Sequence, residues 1–202
     1  MRSNSATTTW VAAAFAGTAV AAGCVLVLSG ADEHGTVLAL KLTARLSFLL
    51  FWPAYAGAGL ALLSGMGLRP LQRHGRDFGL AFAAAQTVHA GLVAWLCWIG
   101  APPARGLFVI FGPPLVLVYV LVLFSIPRLR QGLGTTGWWL LRTLGMNAIA
   151  AAFAFDFLRA PLFDSTLHAA EYVPFATLAL LGAACHLAAL RPPDRRREGT
   201  AG

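Results

Sequence analysis

Of 202 residues, 58 % are hydrophobic and only 11 % charged, and the mean hydropathy is +0.70; a soluble domain carries roughly a quarter charged residues. The net charge of +7 comes from basic residues scattered over short segments, which argues against a nucleic-acid partner. Apolar runs of about 20 residues recur along the chain, each able to cross a hydrocarbon layer about 30 Å thick, so the sequence predicts an all-α integral membrane bundle.

Six spans follow a short N-terminus of residues 1–9. The first, Trp10–Ser29, has an apolar stretch of about 20 residues, longer than the roughly 7–15 of a signal peptide, and is read as a helix. The second, Leu46–Met66, contains Pro53 and a stripe of small residues, Gly57, Ala61 and Gly65, expected to pack closely on a neighbour. Phe78–Ile99, the third, carries His89; Gly106–Ile126, the fourth, carries Pro113 and Pro114. The fifth, Trp138–Leu158, holds Arg142, Asn147 and Asp156. The sixth, Tyr172–Leu190, holds Pro174, Cys185 and His186, and a basic tail of residues 191–202 ends the chain. Prolines are tolerated in membrane helices where neighbours re-satisfy the freed backbone groups. The transmembrane domain is therefore residues 10–190.

An even number of spans puts both termini on one side. Arg2, Arg69, Arg73, Arg76, Arg128, Arg130, Arg191, Arg195, Arg196 and Arg197 fall on that side, and Lys41, Arg45, Arg105 and Arg159 on the other. The positive-inside rule then predicts cytoplasmic termini. One lysine against fourteen arginines, with abundant alanine, suits a GC-rich bacterial genome and hence a bacterial inner membrane. Cys24, Cys97 and Cys185 each fall within a span without metal-site spacing and read as buried packing residues. Adjacent Cys185 and His186 point about 100° apart on a helix. No GxGxxG motif or P-loop is present, so the chain has no flavin or NAD site of the usual kind. Lipid is its first partner.

Polar groups inside a membrane are costly and mark either function or helix contacts. His89 lies about 17 Å from either end of its predicted span, at 1.5 Å per residue. Ala81 and Ala85 share its face and Gln86 is close by; small residues there suit a flat ligand or a closely packed helix. His89 thus reads either as an axial haem ligand or as a neutral interhelical hydrogen-bonder. Asp156 reads as paired with Arg159, or as part of a proton or cation relay. Arg142 can snorkel to the interface, and Asn147 reads as interhelical glue. His186 lies near one end of its span, while His34, His74 and His168 fall in loops.

The stretch LRPLQRHGRDFGLAFAAAQTVHAGLVAWL resembles the haem-bearing third helix of the ferric-reductase-like transmembrane family, which includes the membrane haem subunit of the periplasmic methionine sulfoxide reductase system. Basic residues, Gly79–Leu80 and then His89 ten residues after the glycine carry the likeness. TARLSFLLFWPAYAGAGL resembles the preceding helix and TGWWLLRTLGMNAIAAAFAFDFLRAP the fifth, so the likeness spans roughly residues 40–160. It implies a b-type haem held between histidines of the third and fifth helices. This chain departs there: Arg142 or Thr143 stands at the first fifth-helix histidine, and Phe155 or Asp156 at the second. His186 is a poor depth match, His168 would have to fold inward, and Met146 would be a new arrangement. A five-coordinate haem on His89, an unconventional second ligand, and no haem all remain open.

By resemblance, the expected function is transmembrane electron transfer, fed by a quinone or flavoprotein donor and discharged to an extracytoplasmic redox partner. This would make the chain the membrane subunit of an oxidoreductase. The alternative is a haem-less scaffold, assembly partner or small-solute transport component. The topology has its own test: a reporter active only in the cytoplasm, fused to the C-terminus, is expected to be active. Silence from an expressed, membrane-inserted fusion would reverse every inside and outside assignment.

Overall fold

The structure is a computed structural model, and it describes residues 4–64, 71, 73–163 and 169–190. Six helices run in chain order: α1 Asn4–Ser29, α2 Glu33–Ser64, α3 Gly75–Trp98, α4 Arg105–Phe124, α5 Pro127–Phe163 and α6 Ala169–Leu190. All six are long and apolar enough to cross a membrane. The protein is an all-α, multi-pass membrane bundle, as the hydropathy implies, and no strand occurs among the described residues.

Local chemistry sets the helix ends. Before α2, the Asp32 carboxylate accepts from the Gly35 amide at 3.0 Å, and Glu33 adds negative charge to the first turn, favourable at a helix N-terminus. After α3, the Ala101 amide donates to the Leu96 carbonyl at 3.1 Å and the Gly100 amide to Cys97 at 3.3 Å. With Gly100 at φ 82, this is the left-handed cap in which glycine avoids a Cβ clash. Pro127 opens α5, where its missing N–H costs nothing. Pro53, Pro113, Pro114 and Pro174 all lie inside helices.

Two elements are longer than the hydropathy suggests. Rather than beginning at Leu46, α2 starts at Glu33, so Lys41 and Arg45 ride on helix. Similarly, α5 begins at Pro127 and is interrupted only at Gly134, where φ is 66 and ψ −179.

The packing centres on α2, which contacts α1, α3 and α6 and touches α5. α1 lies over α2 and α3, while α4 packs on α5 and α5 on α6. α2 and α3 run antiparallel. Thr43 meets His89, and two turns along Phe51 meets Phe82, with ring centroids 5.2 Å apart. The α2–α6 seam is closer still: a Cβ on Gly59 would collide with the Cys185 backbone carbonyl, and one on Gly182 would meet the Trp52 ring nitrogen at 2.8 Å. Trp52 Nε1 also donates to the Leu178 carbonyl at 2.7 Å. Gly57 and Ala61 are buried, in keeping with the expected small-residue stripe; Gly65 lies outside the described residues. Cys185 is buried, but Cys24 and Cys97 are exposed on the outer surface of the bundle rather than packed inside it.

Between α2, α3, α5 and α6 lies an aromatic core. Phe48 meets Phe157 edge-on at 5.0 Å and Phe175 at 6.2 Å. Phe153 lies 5.6 Å from Phe51 and 6.0 Å from Phe82. Lipid tails are as apolar as these rings, so their contribution is contact and shape rather than escape from water. Edge-to-face pairs add about 0.5–1.5 kcal/mol each.

The Gly59 contact yields a prediction. Gly59→Ala drives a methyl group into backbone and is expected to lower stability in detergent by about 1–3 kcal/mol, the usual cost of overpacking. Gly91→Ala, where a Cβ meets nothing within 4 Å, serves as the control and should melt close to the parent. Equal melting of the two variants would mean that α2 and α6 stand further apart.

Candidate functional site

His89 sits where α3 crosses α2. It lies nearer the Trp98 end of α3 than the mid-depth expected from sequence: about 21 Å from the Gly75 end and about 14 Å from the other, by helical rise. The Thr43 hydroxyl is 2.9 Å from the Ala39 carbonyl and 3.1 Å from that of Leu40. Carbonyls only accept, so Thr43 donates into its own helix. Its oxygen then accepts across the seam from His89 Nδ1–H at 2.9 Å. With the proton on Nδ1, the lone pair lies on Nε2; the ring also meets the Leu40 backbone.

Ala81 and Ala85 are both 0 % exposed. On the α2 side, Thr36, Ala39, Thr43 and Ser47 are also 0 % exposed. Small residues on the two helices therefore face into packing, as a close helix crossing requires, and the Ala81–Ala85 face is covered by protein.

A haem shared by α3 and α5 would have to occupy the space between those helices. Phe82 and Phe153 meet there, and Phe51 packs against both. A porphyrin would have to displace these rings, so the residues present do not fit that arrangement. The alternative ligands fare no better. Met146 packs against the aromatic core. The His186 ring stacks on Tyr55 at 4.3 Å, twelve residues along α2 from Thr43, or about 18 Å by helical rise. One iron cannot reach both histidines. His168 lies outside the described residues. Among the described residues, no group of three or more His, Cys, Asp or Glu side chains could hold a metal ion.

A second polar cluster joins α2, α5 and α6 at the Tyr55 level. The Tyr55 hydroxyl donates to Asn147 Oδ1 at 2.9 Å, and Asn147 Nδ2 donates to its own helix at Thr143. Asn147 thus acts as the interhelical contact expected of it. His186 Nδ1 donates to the Tyr55 carbonyl at 3.3 Å, and Arg142, exposed on α5, acts on His186 electrostatically.

At the other end of the same three helices, Arg45 pairs with Glu171 at 2.9 Å. Its guanidinium lies over the Tyr172 and Phe175 rings at 5.3 and 5.5 Å. Both Arg159 and Arg45 act electrostatically on Asp156. Sequence reasoning supplied Arg159 but missed Arg45, which is remote in the chain. The charges that surround Asp156 suit an interfacial cluster better than a relay. At the Gly75 end of α3, His74 pairs with Asp77 at 3.1 Å and Thr7 of α1 donates to the same carboxylate at 2.8 Å; His74 and Asp77 line a cavity with Trp10, Leu71 and Phe78.

Comparison with known proteins returned no matching family model, curated protein or solved structure.

The Thr43–His89 bond can be tested directly. Thr43→Val keeps the shape and removes the acceptor, and is expected to cost about 0.6 kcal/mol and at most roughly 2, the range for interhelical hydrogen bonds in membranes. His89→Ala in the Thr43→Val background should then add less than it does alone. Additive losses would mean that the two side chains do not interact.

Proposed function

We propose that the chain is a haem-less membrane scaffold or assembly partner, built on a bundle of the ferric-reductase-like type. One observation carries this reading: the rings of Phe51, Phe82 and Phe153 meet one another between α3 and α5. The same rings stand in the way of a solute route through that part of the bundle, which favours a scaffold over a transport component. The fifth helix carries no histidine, and His89 already has a structural partner in Thr43.

One observation favours the second reading, transmembrane electron transfer by a b-type haem on His89 with a quinone or flavoprotein donor. With Nδ1 donating to Thr43, Nε2 holds the lone pair, and metal-ligating histidines commonly use this arrangement. An absorption spectrum separates the two readings. Protein expressed with added haem, purified in detergent and reduced with dithionite, is expected to show no b-type haem bands. A haem signal that persists through purification and is lost in His89→Ala would replace the scaffold reading with the redox one.

A further inference from the structure

α5 is too long to be one membrane span. Its 37 residues would reach about 55 Å at 1.5 Å per residue, against a hydrocarbon layer about 30 Å thick. The backbone breaks at Gly134, where φ 66 with ψ −179 is open to essentially no residue but glycine. The apolar run begins only after it, at Trp138. Residues 127–133 therefore join two spans at headgroup level. They are also two-faced. Ile126 and Leu129 are exposed and Leu133 is half-buried; the spacing i, i+3, i+7 puts all three on one side. Arg128 and Gln131, both exposed, take the other side, with Arg130 on the flank.

Two arginines are directed to the level of Trp138. The Arg130 guanidinium lies over its ring, 5.5 Å from the centroid. Arg142 follows Trp138 by four residues and shares its face of α5, and helical side chains lean back toward the N-terminus. Arg142 is exposed on the outside of the bundle, inside the apolar run. It makes no ion pair or hydrogen bond among the described residues. No Asp or Glu occurs between Asp77 and Asp156, so no acidic residue nearby in the chain balances these two charges. A cation at such a depth is costly without an anion to meet it.

We propose that Arg130, Trp138 and Arg142 form a binding site for the headgroup phosphate of an anionic phospholipid. Guanidinium forks match phosphate oxygens, and an indole ring suits the membrane–water boundary at which that phosphate lies. The exposed Trp139, Leu140 and Leu144 continue the same helix into the hydrocarbon, where the acyl chains of the bound lipid run. A zwitterionic headgroup brings its own cation and gains less from two arginines. The surface is continuous with the two spans it joins, so lipid reaches it directly. It lies apart from His89 and does not depend on whether haem is bound.

Native mass spectrometry of the full chain, released from detergent, reads lipid retention directly. Phosphatidylglycerol and phosphatidylcholine are titrated onto the parent, onto the double variant Arg130→Gln with Arg142→Gln, and onto Arg105→Gln. The last removes an exposed arginine at the opposite end of α4. The parent and Arg105→Gln are expected to prefer phosphatidylglycerol. The double variant should bind it about 30-fold more weakly, at about fivefold per arginine, with its phosphatidylcholine binding unchanged. A double variant that holds phosphatidylglycerol as the parent does overturns the site, as does a parent that holds both lipids equally. So does a parent dimer that the double variant breaks with no change in lipid preference, because a second copy of the chain would then be the occupant.

Should the double variant not fold, hydrogen exchange of the unaltered chain in phosphatidylcholine nanodiscs decides. Added phosphatidylglycerol is expected to slow the amides of residues 127–137 and to leave those of residues 99–104 unchanged. Equal exchange of residues 127–137 with and without the anionic lipid overturns the site.

Discussion

Lipid tails solvate an apolar helix face as well as another helix does. A membrane bundle therefore holds together through close backbone approach, interlocking side chains and a few interhelical hydrogen bonds. Here these devices converge on α2. Its backbone meets that of α6 at Gly59, where a Cβ would strike the Cys185 carbonyl. Small residues line its contact with α3, and Thr43, Trp52 and Tyr55 each hydrogen-bond to a different helix. α1 leans on the α2–α3 pair, α4 reaches the bundle chiefly through α5, and α5 and α6 close around the aromatic core.

This arrangement sorts the intramembrane polar groups by depth. Arg45, Glu171, Asp156 and Arg159 gather at one end of the α2–α5–α6 face; Tyr55, Asn147 and His186 gather further along it. Phe48, Phe51, Phe153 and Phe175 lie between these two levels along their helices. His89 belongs to the α2–α3 seam instead. The polar groups that one cofactor would need together are thus separated either by depth or by the phenylalanine core. Packing, more than the count of histidines, is what speaks against a haem between α3 and α5.

The six spans were legible in the sequence because hydropathy is a local property and each run is long. The first turns of α2 were not, because Lys41 and Arg45 interrupt the apolar run. The Asp32 cap and the spacing of Thr36, Ala39, Thr43 and Ser47, all on one helical face, were the available signals. His89 stood out as a costly residue, and an interhelical hydrogen bond was one of the two roles open to it. Its partner lies 46 positions away, and no local pattern points to Thr43. The same holds for Arg45 with Glu171 and Tyr55 with Asn147, separated by 126 and 92 positions. Ala81 and Ala85 suited a flat ligand and a close helix equally; in the fold both are covered by protein.

α3 is joined to α2 at His89 and meets α5 through the Phe82 and Phe153 rings. Solid-state NMR of the unaltered, isotope-labelled protein in lipid measures this most directly. The account predicts a through-space contact between the Thr43 side chain and a protonated His89 Nδ1, together with a ring-to-ring contact between Phe82 and Phe153. A spectrum lacking the Phe82–Phe153 contact, with His89 free of Thr43, would contradict it.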